Sequence, residues 1–507
     1  MKKNVRLLLL MLFGVAFAMC TNPESGSGET KFNKKSELFS LTANGRSQFV
    51  EHFKTYHYAN FEMEGEIKIE ITSTEDITKC VVSPWVKGIE SVINGKTATF
   101  TLPSAGWYLI EINETEHLAI LVDKKEENVP RLSDNNVVDV RKFAQHDDEL
   151  VQTEALQRAI NETAAAGQIL YFPAGVHRTG TLTIPSNSQI YMARGAMVIA
   201  SENRDDFPSD GNRQESDGIN QTTHSGEFMT FSRLILIEGE NIRIWGRGTF
   251  DGTGTTLRAQ GKPANLIRMR NAKNVLVEGV ILRDPAAWNT HILYSEDIII
   301  RGVKVLNDFT LANTDGFDPD ASKNVLIENS FAYCNDDNIA IKTTNNLDLL
   351  RDIENIVVRN CVFYTRKSSL KVGTETKGAV MRNILFEDID VIGSDRALAL
   401  YANDGALFED IRWVNIRVEQ NVHDSQRRAI QFRISNRYGK SNIRNLLIKD
   451  VVFYEEFPNT SDISGLDENH TIEGIVFDNI TKAGKRVKSL EDFPIRINEF
   501  VKDIQFR

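Results

Sequence analysis

Two short stretches hold the chain's densest acid chemistry. Asn313-Thr314-Asp315-Gly316-Phe317-Asp318-Pro319-Asp320 is followed by Asn335-Asp336-Asp337-Asn338-Ile339-Ala340-Ile341-Lys342. Asp315 and Asp336 are 21 residues apart (336 − 315), so in a coiled repeat they would stack nearly above one another on successive rungs. Carboxylates that close repel, and at least one of them holds its proton to higher pH. Such an arrangement does nothing for stability, but it suits acid–base chemistry. Cleaving a glycosidic bond takes one protonated carboxyl for the leaving oxygen and one ionised carboxylate for the water. Asp315, Asp336 and Asp337 are therefore the candidate catalytic residues. Asp318 and Asp320 read equally well as turn residues. Neighbours on a regular strand point to opposite faces, so Asp336 and Asp337 share a site only if the backbone bends between them.

The supporting residues are softer. Lys342 and Lys371 are candidates to hold a sugar hydroxyl or tune an aspartate, although a solvated lysine is the commoner case. Trp288, His291 and Tyr401 are candidates to line a sugar subsite, with core packing the competing role for Trp288. The four cysteines, Cys20, Cys80, Cys334 and Cys361, form no CxxC pair and no Cys/His cluster, so neither a metal nor another cofactor is expected. Cys334 and Cys361 read as stacked interior thiols.

The elements that must position these residues show in an internal repeat. Asn274-Val275-Leu276-Val277-Glu278, Asp297-Ile298-Ile299-Ile300-Arg301, Asn324-Val325-Leu326-Ile327-Glu328, Asn355-Ile356-Val357-Val358-Arg359 and Asn383-Ile384-Leu385-Phe386-Glu387 begin 23, 27, 31 and 28 residues apart. Asn445-Leu446-Leu447-Ile448-Lys449 continues the pattern. Strand-rich repeats of this period, with asparagine at the turn, mean stacked coils that bury a shared core. Leucine-rich repeats are excluded by the missing helical half and Leu-x-x-Leu-x-Leu spacing. The fold expected is all-β: a right-handed parallel β-helix over 131–507, preceded by a small β-sandwich over 36–130. In the sandwich region Ile67-Lys68-Ile69-Glu70-Ile71 alternates, and no catalytic constellation is visible. One helix, capped by Thr153 and ended by Gly167, precedes the first coil.

Composition sets the frame. The chain of 507 residues has 59 basic and 70 acidic residues, a net charge of −11, which gives no reason to bind nucleic acid or an anionic surface. Lys2, Lys3 and Arg6 precede an apolar run ending at Met19 and Cys20. The expectation is a signal peptide over 1–19 and a polar tether over 20–35. Ala18-Met19-Cys20 resembles a bacterial lipoprotein processing site, which implies an exported envelope protein whose membrane contact is a lipid anchor on Cys20. Oligomeric state stays open.

Asn313-Thr314-Asp315-Gly316-x-Asp318 with Asp336-Asp337-x-Ile339-Ala340-Ile341-Lys342 resembles the polygalacturonase-like glycoside hydrolases of family 28. The entry motif Tyr171-Phe172-Pro173-Ala174-Gly175 and Trp288-Asn289-Thr290-His291 extend the likeness over about Val137 to Val452. It implies an inverting glycosidase with Asp336 as general acid and Asp315 and Asp337 orienting and deprotonating the water. Asn313, Lys342, Lys371, His291, Trp288 and Tyr401 would contact substrate. Two family motifs are absent. Ser368 stands where Gly-His-Gly has its histidine, and Arg396-Ala397-Leu398-Ala399-Leu400-Tyr401 stands where Arg-x-Lys clamps a uronate. The family-49 dextranase and isopullulanase-like enzymes, with the same solenoid, aspartate trio and N-terminal sandwich, are the second resemblance. Together these imply a polysaccharide or oligosaccharide substrate, a neutral α-glycan or modified galactan rather than polygalacturonan. A polysaccharide lyase using Ca²⁺ and a non-catalytic glycan-binding solenoid are the alternatives.

Overall fold

The computed structural model of the chain describes residues 32–114, 116–208, 232–344, 351–378, 380–421 and 426–507. The expected signal peptide, Cys20 and most of the tether lie outside the described residues.

Two five-stranded sheets form the N-terminal unit. Ile67–Ser73 has the alternating burial its sequence predicts, with Ile67, Ile69 and Ile71 inward. It pairs antiparallel with Phe39–Ala43 and Thr97–Leu102. In the facing sheet Glu116–Asp123 lies parallel to Tyr56–Glu62 and antiparallel to Gly106–Ile112. The two inner faces share one apolar core, as in other sandwiches.

From Val137 onward the chain coils as a parallel β-helix. A continuous sheet of 23 strands contains two interleaved series of rungs, and a sheet of 11 strands forms a further face. The helix Thr153–Ala165 covers the first coil, burying Leu156, Ala159 and Ile160 against the solenoid core. It shields an end that would otherwise template further strand pairing. Its N-cap is Gln152 rather than Thr153, because the Thr153 hydroxyl accepts the Gly180 N–H at 2.7 Å instead. Cys334 and Cys361 are both interior, but the register stacks Cys334 on Thr365, not on Cys361.

The repeat asparagines explain how the coils keep register. Asn274, Asn324, Asn355 and Asn383 all have φ between 53° and 59°, a left-handed turn that asparagine tolerates. Their amides form a ladder: Asn274 to Asn241 at 2.8 Å, Asn324 to Asp297 at 2.9 Å, Asn355 to Asn324 at 3.0 Å and Asn383 to Asn355 at 3.2 Å.

Sandwich and solenoid interlock through buried charge. Arg283 of the solenoid meets Glu51 at 2.6 Å and Asp251 at 2.5 Å, and donates to Tyr58 Oη at 2.8 Å. Lys304 meets Asp123 at 3.0 Å. Lys54 of the sandwich reaches Asp284 at 2.7 Å. Glu419 accepts from Ser83 Oγ at 2.6 Å and from the Trp85 N–H at 2.5 Å. Burial pushes the Glu419 carboxyl up to about 8. The folded protein therefore binds a proton that the unfolded chain releases from about pH 4.5, and stability falls as pH rises between those values. Glu419→Gln is expected to flatten that decline. Thermal melts from pH 5 to 8 that keep the wild-type slope would show that Glu419 is not its source.

Candidate active site

The register, rather than chain distance, decides which residues meet. Phe317 pairs with Ile339, Ile339 with Leu370, and Ser368 with Arg396. The residues that lead into or open those strands consequently stack as one column: Asp315, Asp337, Ser368, Arg396. Asp315 therefore stands over Asp337, 22 residues on, and not over Asp336 as the 21-residue spacing suggests. Gly316 lets the rungs close up here, since a Cβ at that position would lie 2.5 Å from Asn338 O.

The backbone bends between Phe331–Cys334 and Ile339–Thr343, which puts Asp336 beside Asp337 instead of on the opposite face. One carboxylate oxygen from each of Asp315, Asp336 and Asp337 lies within 4.8 Å of the others. Asp315 and Asp337 are buried, whereas Asp336 keeps some solvent contact.

Their surroundings differ in a way that separates their protonation. Burial raises Asp336, and the neighbouring Asp337 adds to this against the pull of Lys371. Burial also raises Asp315 well above the carboxylate range, with Lys342 opposing and Asp318, Asp336 and Asp337 reinforcing it. Asp337 is buried too, but Lys371, Arg396 and the Ser368 N–H outweigh that and hold it below the usual range. Lys371 Nζ lies 2.5 Å from Asp337 Oδ2, and the Ser368 N–H donates to Oδ1 at 2.9 Å. The Asn313 N–H donates to Asp336 Oδ2 at 3.2 Å, and the Asp337 N–H to Oδ1 at 2.9 Å. Groups whose environments push them apart are what an acid–base pair requires.

Several expected substrate contacts prove to be support instead. Lys342 and Lys371 are not solvated; both are buried. Lys342 lies 3.3 Å from Asp315 Oδ2 and 2.9 Å from Asp318 Oδ1 as an ion pair, and 3.5 Å from the centre of the Trp288 ring. Trp288 is thus packed against a lysine and the edge of His291, and does not line a sugar subsite. Neither does His291, which is fully buried with Nε2 3.0 Å from Asp320 Oδ2. Asp320 also accepts from the Thr344 N–H and hydroxyl, so it braces the site rather than merely forming a turn. Asn313 contributes its backbone N–H. Tyr401 is buried on the rung after Lys371, whose Nζ lies 5.5 Å from its ring centre; it donates to Gln431 Oε1 at 2.5 Å, and Arg433 lies 4.3 Å from the ring centre.

The trio is the cluster among the described residues with the geometry to hold a metal ion. Lys342 and Lys371 already supply positive charge to its carboxylates, and Lys342 Nζ occupies the space between Asp315 and Asp318 that a shared Ca²⁺ would need.

The sequence missed two groups. Arg396 reaches the site from the next rung, with Nε 2.9 Å from Ser368 Oγ and Nη1 2.7 Å from Asp395. Arg433 is exposed and pairs in register with Tyr401. In the sequence Arg396 is only the start of the stretch that stands in for Arg-x-Lys, and the coil register is what brings it and Arg433 to the site.

The family described as Glycosyl hydrolases family 28 matches residues 214–455. A probable polygalacturonase of Vitis vinifera is 26% identical over 280 residues, covering 51% of this chain and 55% of that protein. The endo-polygalacturonase of Pectobacterium carotovorum subsp. carotovorum is 26% identical over 368 residues, 67% of this chain and 83% of that protein. The solved exopolygalacturonase of Thermotoga maritima shares the fold with a TM-score of 0.57 and 20% identity, over 76% of this chain and 93% of its own. The chain is thus polygalacturonase-like: a parallel β-helix protein that is similar to the glycosidases of family 28 over residues 214–455.

Proposed function

We propose that this protein hydrolyses glycosidic bonds of a polysaccharide or oligosaccharide with inversion. Asp336 protonates the leaving oxygen, Asp337 deprotonates the water, and Asp315 orients it. The carrying observation is the opposed environment of two adjacent carboxyls. Asp336 is raised and reaches solvent, while Asp337 is held ionised by Lys371. The trio is tighter than the roughly 6.5–9.5 Å that commonly marks inverting pairs. Inversion is nonetheless favoured because both oxygens of Asp337 are already engaged, which suits a base better than a nucleophile. The anomeric configuration of the first product, followed by NMR, decides this; a retained configuration would overturn it.

For the substrate we propose a neutral α-glycan or modified galactan. Each cation closest to the trio is matched by an acid: Lys342 by Asp315 and Asp318, Lys371 by Asp337, and Arg396 by Asp395. None of these is left for a uronate. An acidic glycan is the second reading, favoured by Arg433, which has no acidic partner among the described residues, and by the relatives' names. Product chromatography on α-glucan, galactan and polygalacturonan separates the two.

Lys371→Met is expected to raise the base's pKa, because Lys371 holds the Asp337 carboxyl down. The acidic limb of kcat/KM against pH then moves to higher pH, so activity is lost first on the acid side. An unmoved limb would remove Asp337 from the role of base. We further propose that the protein is exported and lipid-anchored through Cys20. Cys20→Ser is expected to move it from the membrane to the soluble fraction, and unchanged fractionation would refute the anchor.

A further inference from the structure

The sandwich contributes no carboxylate to the acid cluster, yet its hairpin abuts the segment that leads into one. That hairpin joins Glu51–Phe53 to Tyr56–Glu62. Residues 307–315 connect strand Lys304–Leu306 to strand Phe317–Asp320 and have no strand pairing of their own. Backbone bonds tie the two ends to neighbouring coils, Asn307 N–H to Tyr333 O at 3.0 Å and Asn289 N–H to Asp315 O at 2.9 Å, and between those ends side chains set the shape.

Two chains of contact reach this segment from the sandwich. In the first, Lys54 Nζ donates to Thr255 Oγ1 at 2.8 Å, and that hydroxyl donates to Asp308 Oδ2 at 2.8 Å. Asp308 Oδ1 accepts from the Thr310 N–H at 2.8 Å and its hydroxyl at 2.7 Å, which fixes the start of the segment. In the second, Tyr56 Oη donates to Asn307 O at 3.3 Å, and its ring lies 4.2 Å from that of Tyr333. Phe309 packs on Tyr333 and Tyr364, with ring centres at 4.9 and 5.6 Å. Asn307 Nδ2 then donates to Thr314 O at 2.7 Å. The segment ends in two groups of the site, the Asn313 N–H on Asp336 Oδ2 and the Asp315 carboxyl.

We propose that Lys54 and Tyr56 are positioning residues, through which the sandwich holds the 307–315 segment in the shape that presents the Asn313 N–H to Asp336 and the Asp315 carboxyl to the water. The proposal rests on the acid–base reading above. The sandwich is then part of the catalytic apparatus without touching substrate. Losing the Asn313 N–H removes a bond that favours ionised Asp336, so its proton is held to higher pH. The other charged groups facing Asp336 are Asp315 from the preceding coil, Asp337 on its own turn, Lys342 and Lys371 from the next strands, and Arg396 from the rung beyond. These stay in place when only the sandwich residues change.

Full-length Lys54→Met and Tyr56→Phe proteins test this, with Lys54→Arg as the conservative partner. Tyr56→Phe removes one hydroxyl and keeps the ring packing, so it remains informative if Lys54→Met folds poorly. Amide hydrogen exchange is expected to quicken in 307–315 while the rest of the chain is unchanged. On a hydrolysed glycan, kcat is expected to fall roughly tenfold to a hundredfold with KM within about twofold. The alkaline limb of the pH profile is expected to move up, and Lys54→Arg to recover most of the loss. Unchanged exchange in the segment overturns the proposal. So does exchange quickened throughout sandwich and solenoid alike, or a loosened segment with wild-type kcat and pH profile. If the wild type hydrolyses no glycan, the reaction assigned above fails, and hydrogen exchange still decides whether the sandwich holds the segment.

Discussion

Substituting Asp336 by Asn is expected to lower kcat by about 10²–10⁴-fold on a glycan, the usual contribution of a positioned acid, with little change in KM. Asparagine keeps the size of the side chain and can still meet the Asn313 N–H through its carbonyl, so the fold should be unaffected. The more telling result comes from the leaving group. An aryl glycoside whose phenol departs without protonation does not need the acid, so Asp336→Asn should retain most of its activity there. Asp337→Asn should lose activity on both substrates, because the water still has to be deprotonated. The pair of measurements assigns acid and base separately, which neither variant does alone. If Asp336→Asn hydrolyses the glycan at the wild-type rate, or is equally crippled on the aryl glycoside, Asp336 is not the acid.

The second large effect is on stability. Arg283→Met should cost about 3–5 kcal/mol, because it leaves two carboxylates buried without their shared cation. Glu51 comes from the sandwich and Asp251 from the solenoid, and both lie against the guanidinium. Tyr58, which donates to Glu51 Oε2 at 2.6 Å, cannot replace that charge. Denaturant melts followed by tryptophan fluorescence, with proteolysis between residues 123 and 137, would show the sandwich separating at lower denaturant. Adding Glu51→Gln to Arg283→Met should recover part of the loss. A change under about 1 kcal/mol would mean that water reaches the pair and the network is not truly buried.

The fold was legible because coil stacking writes itself into the chain as a repeat. Asparagine at a left-handed turn followed by alternating apolar residues admits little else, and the strands expected in the sandwich region also formed. The aspartates were legible for a different reason, since three carboxylates close in space serve no structural purpose. What the sequence could not supply was register. Asp315 stacks on Asp337 because Phe317 pairs with Ile339, and a shift of one residue would have chosen Asp336. Nor could it tell a solvated lysine from a buried one. Lys342 and Lys371 are buried because carboxylates from neighbouring coils surround them, which is a property of stacking. Trp288 and His291 looked like sugar platforms by residue type alone, yet their neighbours across the rungs turned them into packing for Lys342 and Asp320. Ser368 stood out as the residue at the family's histidine position, and only pairing shows that it and Arg396 continue the column of Asp315 and Asp337.

The asparagine ladder has a consequence for how such a protein can change. Along the acid column the intervals are 22 residues from Asp315 to Asp337, 31 to Ser368, 28 to Arg396 and 32 to Arg428. Over the coils that carry the aspartates, ladder amides join Asp297, Asn324, Asn355 and Asn383 in turn. Extra residues are thus taken up between the marks of a ruler whose divisions stay fixed. A lineage, or an engineer, can lengthen one coil's loop to reshape the groove while every other carboxylate stays on its rung. Substrate range and catalytic geometry are in this way free to evolve on separate parts of each turn.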